Sequence, residues 1–150
     1  MKQKNKAVII WFVVIVAVVG LFLIPRIFNK NNDANAKVPC LLPNIPLVQH
    51  IHPKITIIVD GVNEIIPNEI GLNSACEKAI HTHEEGDGTI HVESQDSRQY
   101  TLGDFFSVWS KSISREGYNL GITVDGGIVQ DSAQIIFKDG QQIVLKYTKI

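Results

Sequence analysis

Residues 7–24 form an unbroken run of eighteen without a charged side chain, ended by Pro25 and Arg26. Its one strong hydrogen-bonding side chain is the indole of Trp11. A bilayer core ~30 Å thick takes roughly 20 apolar residues at 1.5 Å rise per residue, with about 17 as the lower limit. A buried helix of a soluble protein keeps polar positions along one side. This run keeps none, so it predicts a single transmembrane helix over residues 7–25.

Lys2, Lys4 and Lys6 precede the run, while Arg26, Lys30 and Lys37 follow it. Positive charge beside a first helix favours the cytoplasmic side. The expectation is therefore a cytoplasmic N-terminus at residues 1–6, a linker over 26–48 and an extracytoplasmic domain over 49–150. The alternative is a signal peptide cleaved after Ala36, since Ala34-Asn35-Ala36 has the small-x-small form of such a site. Both readings export the remainder of the chain to the cell exterior or periplasm. The linker assignment rests on five asparagines between Asn29 and Asn44 and on Pro39, Pro43 and Pro46, with no apolar periodicity before Leu41.

The formal net charge is −1, and no basic stripe with interleaved aromatics occurs, so a nucleic-acid partner is not expected. The expected partners are the lipid bilayer and a metal ion, and the sequence names no protein partner. Two cysteines, Cys40 and Cys76, are available for a disulfide in an oxidising compartment.

The exported part alternates in hydrophobicity. Ile55, Ile57 and Val59 lead to Asp60-Gly61 and then to Val62, Ile65 and Ile66, which predicts a β-hairpin ended by Pro67. Residues 74–80 suit a short helical turn, and residues 89–94 a strand. Leu102, Phe105, Phe106, Trp109 and Ile113 recur at helical spacing behind a capping box, Thr101 with Asp104. Gly117 stands where a C-terminal cap belongs. Ile122 and Val124, then residues 135–137 and 143–147, resume the alternation around Asp125-Gly126 and Asp139-Gly140. The fold class this predicts is α+β: a sheet with one packed amphipathic helix. Residues 121–147 resemble the closing strands of ubiquitin-like β-grasp domains, which implies a β-grasp-like sheet and, by itself, no function.

All five histidines lie between positions 50 and 91, as His50-Ile51-His52, His81-Thr82-His83 and His91. Alternate residues of a strand point the same way, so each H-x-H pair presents two imidazoles to one side. A third ligand arrives from a neighbouring strand, and His91 follows His83 across a loop rich in glycine and acid. Ile51, Ile55, Ile57 and Val59 are odd while His50 and His52 are even; Ile90 and Val92 are even while His91 is odd. If the strand is regular through Pro53, the histidines face away from the core, at a second face or rim.

Imidazole suits copper or zinc. A blue-copper centre is disfavoured because Met1 is the sole methionine, and a cysteine-based structural zinc site by the cysteine count. Glu84, Glu85, Asp87 and Glu93 are available to orient the rings or complete the shell. Two other functions stay open. One is an enzyme in which three histidines and a metal activate water, with Glu93 or Glu85 as base. The other is a pH-sensing or interaction domain.

The string H-T-H-E-E-G-D-G-T-I-H-V-E-S over 81–94, followed by L-G-D-F-F-S-V-W over 102–109, resembles a family of uncharacterised membrane-anchored domains from archaea and bacteria. Their pattern runs H-x-H, then H-T-H-D-x-x-G-x-I-H-[VI]-E-S, then L-G-x-F-F-x-x-W. The resemblance covers residues 50–109 and implies a histidine site for copper or zinc on an exported domain. Glu84 stands where the family has aspartate, and the loop is one residue longer.

Overall fold

Ile55 and Ile57 alternate with Thr56 and Ile58 in β2 (Lys54–Val59), and the odd positions are buried to 1% exposure. The computed structural model that places them describes residues 38–150. The expected membrane span over 7–25, its flanking charges and the first part of the linker lie outside the described residues. Among the described residues no helix is long and apolar enough to cross a membrane.

At Asp60-Gly61 both residues take positive φ, 49° and 86°. That is the two-residue turn whose twist matches antiparallel strands, and it joins β2 to β3 (Val62–Glu64). Asp125-Gly126 repeats the device, with φ of 50° and 83°, between β8 (Tyr118–Val124) and β9 (Gly127–Val129). The last strand, β10 (Gln142–Lys149), lies between the two hairpins, parallel to β2 and antiparallel to β8. The result is a five-stranded sheet in the order β3-β2-β10-β8-β9. Ile55, Ile57, Ile122, Ile143, Leu145 and Tyr147 line its buried face.

A second sheet has three strands in the order β1-β7-β6: β1 (Gln49–Ile51), β7 (His91–Ser94) and β6 (Ile80–His81). The helix α1 (Leu102–Val108) buries Leu102, Phe105, Phe106 and Val108. Its capping box forms as the sequence predicts, with Thr101 and Asp104 exchanging side-chain and backbone bonds. The architecture is α+β, mostly sheet with one short helix among the described residues.

Three local expectations change. The helix stops a turn early, because Ser110 adopts φ 59° while Lys111 N–H reaches the Phe106 carbonyl and Ser110 N–H that of Ser107. A serine thus serves as the left-handed terminator, and Gly117 instead precedes β8. Residues 74–80 are extended rather than helical: β4 (Leu72–Asn73) pairs with β5 (Cys76–Glu77), and the Asn73 side chain accepts the Ala75 N–H in the turn. Residues 135–137 contribute one isolated bridge, Thr101 to Ile136, and no strand of either sheet.

Part of the expected linker lies among the described residues and makes contacts with the domain. Val38 is buried, and Cys40 and Cys76 are joined by a disulfide. Leu41 N–H bonds the Glu77 carbonyl at 2.7 Å, and Ala79 N–H the Pro39 carbonyl at 2.9 Å. From Val38 onward the chain is fastened to the domain.

Gly88 shows how tightly the turn before β7 is seated. Its φ is 74°, and a Cβ there would stand 2.1 Å from the Ile55 carbonyl oxygen. Gly88→Ala is expected to destabilise the domain by about 3 kcal/mol, from backbone strain plus overpacking. Gly126→Ala shares the positive φ but meets nothing within 4 Å, so about 1 kcal/mol is expected. Urea unfolding of the two variants side by side separates the clash from the strain.

Candidate metal centre

β1, β6 and β7 place the histidines through their register. His50 pairs with Glu93, Ile51 with Val92, Ile80 with Val92 and His81 with His91. The β1–β7 register continues past Pro53: Ile90 N–H bonds the Pro53 carbonyl and Ile55 N–H the Gly88 carbonyl. Proline offers no N–H, yet its carbonyl keeps the pairing in step. His52 therefore stands opposite His91 on one side, and His81 opposite it on the other. Alternation then puts His50, His52, His81, His83, His91 and Glu93 on one face, and Ile80, Ile90 and Val92 on the buried face.

His91 is the centre of the group. Its ring centroid is 4.7 Å from that of His52, 4.6 Å from His83 and 5.5 Å from His81, with which it stacks at 14°. His50 and His52 lie 4.6 Å apart, and His81 and His83 4.7 Å. Two trios, His50/His52/His91 and His81/His83/His91, each bring one ligand atom per residue within 4.8 Å of the others.

The protonation chemistry favours ligation. His81 Nδ1 lies 2.8 Å from the Lys78 carbonyl and donates its proton there, because the carbonyl can only accept. That leaves the Nε2 lone pair facing His83 Nε2 at 3.0 Å and a Glu77 carboxylate oxygen at 3.5 Å. A carboxylate aimed at an imidazole lone pair calls for a cation or a proton between them. Ligand nitrogens about 2.0–2.1 Å from a tetrahedral zinc stand roughly 3.3 Å apart, close to the observed His81–His83 separation. His91 Nδ1 is buried with no hydrogen-bond partner, and the nearest carboxylate oxygen, on Glu93, is 4.0 Å away. Such an orphan is costly in a dry site and is satisfied by a bound ion. The residues therefore fit a metal.

Burial pushes the His91 imidazole down to about 4, with His83, His52 and His81 adding to the effect and Glu93 opposing it. Burial likewise lowers His81 below its ordinary value, against the Lys78 carbonyl. Both rings are neutral at pH 7, the form that binds metal. A histidine lowered in the folded state favours the unfolded chain once the latter protonates. The metal-free domain should thus hold its stability above pH 6.5 and lose it progressively as pH falls toward about 4. The His91 share of that loss is at most about 3 kcal/mol. Urea midpoints of chelator-treated protein between pH 7.5 and 4 measure it, and His91→Gln should flatten the profile.

The acidic residues divide. Glu93 belongs to the site, its carboxylate 3.2 Å from His50 Nε2. Asp87 instead accepts both the Thr89 N–H and the Thr89 hydroxyl, which shapes the turn. Glu84 and Glu85 are exposed in the loop and are not among the carboxylates paired with the imidazoles. Two residues that the sequence does not mark as site residues join the cluster. Glu77 forms a trio with His81 and Glu93 within 4.8 Å. Asp139 accepts the His52 N–H at 2.9 Å and lies 3.8 Å from its Nδ1. One position also differs in depth: His81 is fully buried rather than at a rim.

No protein family, curated protein or solved structure matches the chain.

Proposed function

We propose that this chain is a membrane-anchored metal-binding protein whose extracytoplasmic domain holds copper or zinc through its histidine cluster. The observation that carries the reading is the convergence of all five histidines on one face, with His91 common to both trios. His81 fixed in one tautomer and the orphaned His91 Nδ1 support it. The eighteen uncharged residues over 7–24 support the anchor, and the Cys40–Cys76 disulfide is consistent with an oxidising compartment. The strand order, with β10 parallel to β2 and α1 between the two hairpins, supports a β-grasp-like sheet. The resemblance to the membrane-anchored archaeal and bacterial domains belongs to the same proposal.

Binding is favoured over catalysis because Glu93, the best-placed base, is already engaged with His50. Two measurements test the reading. Thermal unfolding of the chelator-treated chain with zinc or copper(II) at a hundred times Kd should show about 2.7 kcal/mol of added stability. Unchanged unfolding with both metals would overturn metal binding. Alkaline extraction of membranes should leave the chain in the pellet, and release into the supernatant would overturn the anchor.

A further inference from the structure

The two trios do not merge into one. Among the described residues, no trio combines His50 or His52 with His81 or His83, and every group of three histidines includes His91. The ring contacts agree, since those linking one H-x-H pair to the other pass through His91. A single ion needs its ligand nitrogens mutually close, roughly 3.3 Å apart around a tetrahedral centre. Four imidazoles split on either side of a fifth cannot all meet that condition, but two ions that share the fifth can each have three. The sheet register explains the split: β1 approaches β7 from one side and β6 from the other, and His91 is on the strand between them.

We infer that the cluster holds two metal ions, one with His50 and His52 and the other with His81 and His83, bridged by the imidazole of His91. This rests on the metal-binding reading above. A neutral imidazole has one N–H and one lone pair. Binding the first ion uses the lone pair. For the second, the remaining N–H bond breaks, its proton leaves to solvent, and the freed pair forms the new metal bond; nothing is oxidised or reduced. The buried and unpartnered Nδ1 of His91 is the nitrogen that gains most from this. Negative charge lies beside both trios: Glu77 is 3.5 Å from His81, and Glu93 is 3.2 Å from His50 while also within 4.8 Å of the His81 ligand atom.

The test uses the full chain in detergent, stripped by chelator and titrated separately with zinc and copper(II) under native mass spectrometry. Two ions per chain are expected. One ion per chain overturns the two-ion inference and leaves metal binding standing, whereas none overturns both. His50→Ala/His52→Ala, on half-exposed side chains, and His83→Ala, on an exposed one, should each leave one ion per chain. Retained strand content by circular dichroism verifies folding in these variants. Loss of all metal from a folded variant means the histidines serve one shared ion and overturns the inference. The bridge is read by electron paramagnetic resonance of the copper form. Its integrated signal should fall as the second equivalent enters, because spins joined through one imidazole couple. A signal equal to two isolated ions overturns the bridge.

Discussion

Replacing His91 by alanine is expected to lower affinity for copper(II) and zinc by more than the ~10–100-fold typical of losing a residue that merely orients a ligand. His91 is the member common to both histidine trios, so each loses its third nitrogen at once. The fold should survive. Alternation keeps His91 off the face occupied by Val92 and Ile90, and its Nδ1 makes no hydrogen bond that folding depends on. Removing an unsatisfied buried nitrogen relieves a penalty of about 1–3 kcal/mol, against which stands the lost ring packing. The metal-free variant should therefore unfold in urea near the wild-type midpoint at pH 7. Lost affinity with unchanged stability marks a functional group. Lost stability with unchanged affinity would assign His91 to the scaffold.

Removing the disulfide, with Cys40→Ser/Cys76→Ser, is expected to lower stability by about 4 kcal/mol, the chain-entropy value for a closed loop of this size. The bridge spans 36 residues and ties the entering chain to β5. Beside it lie Glu77, which faces His81, and Lys78, whose carbonyl fixes the His81 tautomer. Loosening this segment should also weaken metal binding in chains that still fold. Urea unfolding and a metal titration on the same preparation give both quantities. A midpoint unmoved by the double substitution would mean that the segment from Val38 is held by its backbone bonds and not by the bridge.

The parts of the fold that repeat with a short period were legible before the structure. The Asp60-Gly61 and Asp125-Gly126 hairpins, the capping box of α1 and the parity of His50, His52 and His91 all follow from local rules that need no knowledge of distant partners. The site's third dimension was not legible in this way. Glu77 sits four residues before His81, a spacing visible in the sequence, yet its role depends on the β4–β5 hairpin having brought it round. Asp139 is 87 residues from His52, and no local pattern links them. Depth was missed as well. Parity assigns a face and carries no depth, and His81 is fully buried.

One expectation fails because a less usual residue fills a geometric role. Ser110 ends α1 in the left-handed conformation that the sequence reserved for Gly117, because the Phe106 and Ser107 carbonyls are satisfied there. The condition set on Pro53 is met, because on the side facing β7 only its carbonyl is needed. Within the expected linker, nothing in the run of prolines and asparagines marks the bridge at Cys40.

The most direct measurement is elemental mass spectrometry of the full chain purified from membranes, compared with His50→Ala/His52→Ala/His83→Ala prepared identically. Copper or zinc is expected in at least stoichiometric amount on the wild type and nearly absent from the folded variant. A folded wild-type chain that stays empty after exposure to both metals would contradict it.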